Sequence, residues 1–515
     1  LIILFHNNKR IVKVISEENV VIPFSDTDNI SSGMMELASQ FPFAKIVWCH
    51  IDYKDYLNLK EVSQFMHHDK MMFTFNPQKN DYLGTKIGYI EDSPFIKINK
   101  NVMYPTWQMS SIVGVIHASL LLTVNNRIKL ESDFDYYLNS LAKVCSPLGL
   151  LCYSQPKLLY SNNIEKKYTS STFLLFKFVK QHYRTRWVLL LFINLIIYEH
   201  KILFFPLLSS LFFKNRNVGK IDLNNVQVNS VLKIVSSRAI DVIIPTIGRK
   251  SFLYDFLKDL AQQTCLPLNV IIVEQNPMKN SISELDYLAS ENWPFEIKHI
   301  FIHQAGACNA RNIALNETKN DWIFMADDDI RIKDSFLEEA FNQIDKFGVK
   351  AVTLGCYGSE YNPNDKYRNQ MQWESFGSGC SIVKREILQD IHYREGFEFG
   401  YGEDSDFGMQ LRNKGIDVLY SPEPEILHLK APIGGFRTKP VLPWQNDTIQ
   451  PKPSPTAMLY KVLHLSKEEI NGYKTILFIK FYKLQSVKNP VLYFLNFRKQ
   501  WKQSVYWANQ LKNKI

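Results

Sequence analysis

Cysteine is sparse and unpaired in this chain. Seven stand singly (Cys49, Cys145, Cys152, Cys265, Cys308, Cys356 and Cys380), and no Cys-x-x-Cys pair occurs. That excludes a zinc ribbon or a disulfide scaffold, and a reducing, cytoplasmic compartment is expected. No apolar run is long enough to span a bilayer. The two most apolar segments, Trp187–Tyr198 and Ile202–Phe213, are 12 residues each, about 18 Å as helix against a hydrocarbon core of about 30 Å. The opening Leu1–Phe5 run is too short for a signal peptide's apolar region. Low-complexity tracts are absent too, so the 515 residues read as a globular protein of two or three domains.

Acidic residues are scarce in two regions. Residues 151–238 carry 13 Lys/Arg against 3 Asp/Glu, and residues 437–515 carry 14 against 3, although the whole chain is only +9. The basic excess therefore belongs to a linker and a tail, and the rest of the chain is acidic. In both regions the cations alternate with large apolar residues, in the tail Phe478, Tyr482, Tyr493, Phe494, Phe497, Trp501, Tyr506 and Trp507. Such interleaving favours an anionic membrane surface over nucleic acid, placing the protein peripherally on the inner face of the cell membrane. The two apolar runs read as a helix pair in the membrane interface, or alternatively as a buried interdomain pair.

Two segments read alike, which suggests an internal duplication. Asn320–Ile330 is a short apolar strand ending in acids, and Phe43–Asp52 has the same outline. Glu403–Pro422 reads as helix, glycine stop and strand, matched by Ser132–Lys143 followed by Pro147–Pro156. From Ile240 onward, short apolar strands alternate with helices. Strands are expected at Asp241–Pro245, Val270–Val273, Ile297–Ile302 and Trp322–Met325, with a helix capped by Ser251 and another over Ala310–Asn316. This alternation predicts an α/β fold with a mostly parallel sheet and helices on both faces. Ligands in such sheets bind beyond the carboxyl ends of the strands, where Thr246, Arg249, Glu274 and the aspartates fall.

Asp327, Asp328 and Asp329 repel one another at a strand end, so a cation must compensate. Oxygen ligands of this kind suit Mg²⁺ or Mn²⁺, which leave positions for phosphate oxygens; a solvated acidic turn or a calcium site is the bland alternative. Glu403 and Asp404 open a helix, where a carboxylate can take a proton from an attacking hydroxyl or simply stabilise the helix dipole. His428 follows the last strand and either ligates the metal or is structural. Arg311 either binds ribose or phosphate or pairs with the aspartates. Gly377 and Gly379 would let the backbone pass close to a ligand.

Taken in chain order, these pieces resemble glycosyltransferase family 2. They are Val242–Thr246 with Arg249, Val273–Glu274, Gly306–Asn312, Asp327–Asp329, Gly377–Gly379, Gly402–Asp404 and His428. The segment is similar to the catalytic domains of polypeptide N-acetylgalactosaminyltransferases and bacterial chondroitin polymerase. The resemblance implies a GT-A fold and an inverting displacement on a UDP-sugar donor with Mn²⁺ or Mg²⁺ as cofactor. It implies that Thr246, Arg249 and Glu274 lie at the nucleoside, with Arg311, Asp328 and Gly379 also around the donor. Asp327 would hold the ribose or the metal, Asp329 the metal itself, with His428 completing the metal shell, and Asp404, beside Glu403, would be the base. The acceptor would be a glycan or a lipid-linked sugar. One departure is Glu274-Gln-Asn276, where the family often has Asp followed by a small residue.

The expected organisation is a truncated, degenerate GT-A-like domain at 1–160, non-catalytic because Cys49-His-Ile-Asp52 offers one acid in place of three. A basic apolar linker follows at 161–238, the catalytic domain at 239–436 and a basic aromatic helical tail at 437–515. The competing readings are a sugar nucleotidyltransferase, which needs a glycine-rich loop where Pro245–Lys250 has one glycine, and a non-enzymatic nucleotide-sugar-binding scaffold.

Overall fold

The computed structural model describes residues 1–25, 29–78, 81–160, 170–216, 221–361, 369–432 and 440–513. Parts of the expected linker (161–169, 217–220), of the catalytic domain (362–368, 433–436) and of the tail (437–439, 514–515) lie outside the described residues. Two compact units emerge, one of Leu1–Leu232 with Ser466–Leu477, the other of Lys233–Leu465 with Phe478–Ile515.

The first unit is built on a seven-stranded sheet. Its strands are β1 (Ile2–His6), β2 (Ile11–Ser16), β3 (Lys45–His50), β4 (Met71–Phe75), β5 (Tyr104–Pro105), β6 (Val113–His117) and β7 (Leu151–Ser154), in the order β2-β1-β3-β6-β4-β7-β5. β1, β4, β6 and β7 are buried at every residue, as continuous apolar runs covered on both faces should be. A Cβ at Gly114 of β6 would stand 2.1 Å from the Trp48 ring and 2.4 Å from the Phe73 carbonyl oxygen, so only glycine admits that indole.

The linker is not a separate layer among the described residues. Its helices, Thr172–His182, Thr185–Glu199 and Phe204–Leu211, bury Phe176, Phe178, Leu191, Leu195 and Leu207 in this unit's core. Among the described residues no helix is long and apolar enough to cross a membrane.

The second unit's strands are β8 (Ile240–Thr246), β9 (Asn269–Gln275), β10 (Glu296–Ile302), β11 (Trp322–Ala326), β12 (Ile330–Arg331), β13 (Ala351–Gly358), β14 (Met371–Gln372), β15 (Cys380–Lys384) and β16 (Leu419–His428). They run β10-β9-β8-β11-β15-β13-β16-β12, with β14 on β16. β10, β9, β8 and β11 are parallel. Beyond β11 the sheet is mixed, because β15 runs antiparallel to both β11 and β13. The expected mostly parallel sheet thus holds for one half only. The expected strands are present and each is longer than expected, β9 by three residues, β8 by two, and β10 and β11 by one each. The Ala310–Asn316 helix begins earlier, at Ala307. Ser251 is not the expected cap; the helix Lys250–Ala261 starts after Arg249 with no side-chain cap bond.

The same topology occurs in both units. β1-β3-β6-β4-β7 and β8-β11-β15-β13-β16 share strand order, direction and sequence order. The difference lies outside β1. There a single antiparallel strand, β2, stands where β8 is followed by the parallel pair β9 and β10. The fold class is α/β, and the first unit holds a truncated copy of the second unit's strand topology.

In the tail, helices Pro455–His464 and Pro490–Lys512 pack on the second unit. Tyr493, Phe497 and Trp501 are buried, whereas Phe494 and Tyr506 stay exposed. The tail aromatics thus divide between packing and solvent.

Candidate functional site

A cavity of about 520 Å³ opens at the carboxyl ends of β8 and β11. Thr246, Arg249, Gln275, Arg311, Asp327, Asp328, Asp329, Ser378, Gly379, Glu398, Glu403, Asp404 and His428 all line it. Residues spread over more than 180 positions converge because parallel strands end together and the later helix and strand return to the same edge.

The three aspartates take different roles. Asp328 turns inward and is 2% exposed. Its carboxylate accepts from Thr246 Oγ1 and from Arg249 Nη1, each at 2.6 Å. Burial pushes its carboxyl up to about 6, against the pull of Arg249 and Thr246. Thr246, Arg249 and Asp328 therefore form one buried network at the end of β8.

Asp327 points into the cavity. Its Oδ1 accepts from Arg311 Nη2 at 2.8 Å. Gly379 faces it so closely that a Cβ there would lie 2.2 Å from Asp327 Oδ2. The glycine seen in the sequence as backbone clearance makes room for this carboxylate.

Asp329 Oδ2 accepts from the Ala431 N–H at 2.8 Å, and Oδ1 lies 3.3 Å from His428 Nε2. Burial would raise this carboxyl, but His428, Arg249 and the Ala431 N–H outweigh it and hold it at about 2. The hydrogen bond to Asp329 in turn raises His428, against burial. One ligand atom each from Asp327, Asp329 and His428 falls within 4.8 Å of the others, the one such cluster among the described residues. Two carboxylates and an imidazole suit Mn²⁺ or Mg²⁺, and the space kept by Gly379 is compatible with an ion there.

Opposite the cluster, the helix Glu403–Asn413 starts after Gly402, whose φ of 117° only glycine adopts easily. Asp404 Oδ1 accepts from both the backbone N–H (3.2 Å) and the hydroxyl of Ser378. Burial raises the Asp404 carboxyl, with Arg311 and Ser378 opposing. Glu403 is pushed up to about 7 by burial and by its neighbour Asp404. Asp406, a third acid in this turn, is committed elsewhere, accepting from Arg394 at 2.9 Å and paired with His464 at 2.7 Å.

Glu274 stands apart from the other site residues. It accepts from the Glu284 N–H at 3.1 Å and pairs with His299 at 2.8 Å, and the cavity wall beside it is Gln275. Gln275 Oε1 accepts from the Gly306 N–H at 2.6 Å.

Three participants were not singled out in the sequence. Ser378 sits between the two noted glycines, and its bond to an acid 26 residues away has no local signal. His299 lies on a strand read only as apolar. Glu398 accepts from the Cys308 and Asn309 N–H groups at the start of the helix Ala307–Asn316 (3.1 and 3.0 Å). It sits where a Cβ on Gly306 would come within 2.6 Å. No spacing rule points to it.

Residues 241–406 match the family model described as Glycosyl transferase family 2. Over 189 residues the chain is 20% identical to the glycosyltransferase GlyG of Streptococcus pneumoniae serotype 4, covering 32% of this chain and 62% of that one. Over 105 residues it is 29% identical to an uncharacterised glycosyltransferase of Haemophilus influenzae, covering 20% and 33%. The chain thus spans under two thirds of the length of either curated relative. Among solved structures it is similar to Staphylococcus aureus TarS residues 1–349 in complex with UDP-GlcNAc (16% identity, 53% of this chain and 81% of that one, TM-score 0.37). It is also similar to GalNAc-T7 with UDP, GalNAc and Mn²⁺ (14% identity, 37% and 44%, TM-score 0.31).

Proposed function

We propose that this chain, whose residues 241–406 match the Glycosyl transferase family 2 model, transfers a sugar from a UDP-sugar to a hydroxyl of a glycan or lipid-linked acceptor. The observation carrying this reading is the meeting of Asp327, Asp329 and His428 with Asp404 in one cavity. Asp327, Asp329 and His428 would hold Mn²⁺ or Mg²⁺, which supplies charge neutralisation for a departing diphosphate. The network of Thr246, Arg249 and Asp328 forms the floor beneath the nucleotide. Its cavity volume lies within the range of small-molecule sites.

Asp404 is the base that takes the acceptor hydroxyl's proton as that oxygen attacks the anomeric carbon. Both contacts from Ser378 fall on Oδ1, which orients the carboxylate and leaves Oδ2 for the acceptor. Arg311, clamped on Asp327, keeps that carboxylate aimed into the cavity and adds positive charge beside the donor. The first unit, with His50 and Asp52 where the second has Asp327 and Asp329, binds no donor and serves as an acceptor-binding, partner-binding or regulatory module.

The test is mass-spectrometric detection of sugar transfer or donor hydrolysis from a panel of nucleotide sugars, with Mn²⁺, Mg²⁺ or EDTA. Turnover of a UDP-sugar that EDTA abolishes is expected. Full activity in EDTA would remove the metal scheme, and activity on no nucleotide sugar would favour a binding scaffold.

A further inference from the structure

The helices Thr185–Glu199 and Phe204–Leu211 each have two unlike faces. One is core, carrying Leu191, Leu195 and Leu207 into the first unit. The other stays exposed in the full chain and is apolar. Leu189, Ile193 and Ile197 recur every four residues on the first helix, and Phe204, Leu208 and Phe212 recur every four along the second. A four-residue spacing aligns side chains into a stripe. The stripe is strongly exposed, Phe212 at 87% and its neighbour Phe205 at 75%. Side chains of this size are normally scattered singly on a soluble surface; grouped, they mark a contact site.

Charge selects the occupant. Every exposed charged side chain from residue 184 to 214 is a cation, namely Arg184, Arg186, Lys201 and Lys214. The one acid there, Glu199, is paired with Lys86 at 3.3 Å and Lys201 at 3.1 Å. The cations stand before, between and after the two helices, so the apolar stripe has a basic rim. Neither helix can cross a bilayer: at 15 and 8 residues they reach only about 22 and 12 Å. An apolar face with a basic rim, on helices too short to span, fits a helix pair lying in the headgroup layer of an anionic bilayer.

We propose that this face docks the protein on an anionic membrane surface, with Phe204, Phe205, Leu208 and Phe212 entering the acyl boundary and Arg184, Arg186 and Lys201 at the headgroups. The face lies wholly within the first unit, shares no residue with the transfer site, and needs no donor, metal or acceptor. Its failure and the failure of the transfer reading are therefore separable.

The experiment is flotation of the full chain with vesicles of pure phosphatidylglycerol or pure phosphatidylcholine. Wild type is expected to float with phosphatidylglycerol and much less with phosphatidylcholine, and so is Asp329→Ala, whatever its activity. Replacing Phe205, Leu208 and Phe212 together by Gln should weaken binding by about 10-fold or more. The melting temperature should not change, since all three are solvent-exposed. Replacing Arg184, Arg186 and Lys201 by Gln should remove the preference for phosphatidylglycerol. Wild type staying unbound with both vesicles would overturn the proposal, as would equal flotation of the Phe205/Leu208/Phe212 variant. A wild-type dimer that this variant converts to monomer, without vesicle binding, would assign the face to a second copy instead.

Discussion

Ser111, two residues before β6, donates its backbone N–H (2.7 Å) and its hydroxyl (2.8 Å) to the carboxylate of Asp135, in the first turn of the helix Phe134–Cys145. Ser378 makes the same pair of bonds to Asp404, two residues before β15 and again in the first helical turn. The registers of β3 with β6 and of β11 with β15 put the two serines at equivalent positions. The truncated unit has thus kept the setting of Asp404, with one acid, Asp52, in place of Asp327–Asp329.

Asp135 has no cation beside it, and burial pushes its carboxyl up to about 6 from an ordinary 3.8. The folded state therefore binds a proton more readily than the unfolded one between these values. Stability should fall as pH rises from about 4 to 6 and then level off. Asp135→Asn keeps an acceptor for the Ser111 N–H and offers a donor to its hydroxyl. Calorimetry at pH 8 should show this variant more stable than wild type by roughly 2 kcal/mol, with a flatter pH dependence. A lower melting temperature at pH 8 would show that the charged form is the stable one.

In the second unit the adjacent acids Glu403 and Asp404 are both raised, Glu403 to about 7. A raised carboxylate is lost as base when pH falls, so turnover should decline on acidification at a pH above the ordinary carboxylate range. Glu403→Gln removes the neighbouring charge and should move that limb to lower pH. A pH–rate profile with no acid limb above pH 5 would contradict this pairing.

Asp404→Asn keeps the shape but cannot accept the acceptor's proton. Turnover should drop by about 10²-fold or more with donor affinity nearly intact. Ser378→Ala should cost less, about 10-fold, and raise the apparent pKa of the acid limb, because it removes a bond that favours the charged carboxylate. Unchanged turnover in Asp404→Asn would make this residue a helix-terminus acid and no more.

Gly379→Ala would place a methyl 2.2 Å from the present position of Asp327 Oδ2. The carboxylate must swing away, so the Mn²⁺ concentration for half-maximal activity should rise by about 10-fold or more while the fold persists. Asp329→Ala should abolish metal-dependent donor binding. A Gly379→Ala enzyme with unaltered Mn²⁺ dependence would separate Asp327 from the metal.

The first unit's His50 and Asp52 cannot supply the three-ligand cluster. Titration calorimetry of the full chain with a UDP-sugar and Mn²⁺ should give one site per chain, lost entirely in Asp329→Ala. Residual metal-dependent binding in that variant would reveal a second working site.

The sequence by itself determined the four strands β8 to β11, since short apolar runs such as Val270–Val273 alternate there with helices, as in a covered parallel sheet. It also pointed to Asp327–Asp329 and Asp404, because adjacent acids at a strand end and a helix start carry local signatures. The duplication was visible as two matching fragments. Only the tertiary structure decided which aspartate does what. Asp328 turns inward to Thr246 and Arg249, while Asp327 and Asp329 pair with Arg311 and with Ala431, and that division follows from the turn between β11 and β12 and from partners 16 to 102 residues distant. The roles of Ser378, Gln275 and Glu398, the retirement of Glu274 behind His299, and the exposed face of the helices at 185–211 were equally out of reach. Each depends on what lies across a gap in space, and spacing along a chain records only neighbours on the same strand or helix.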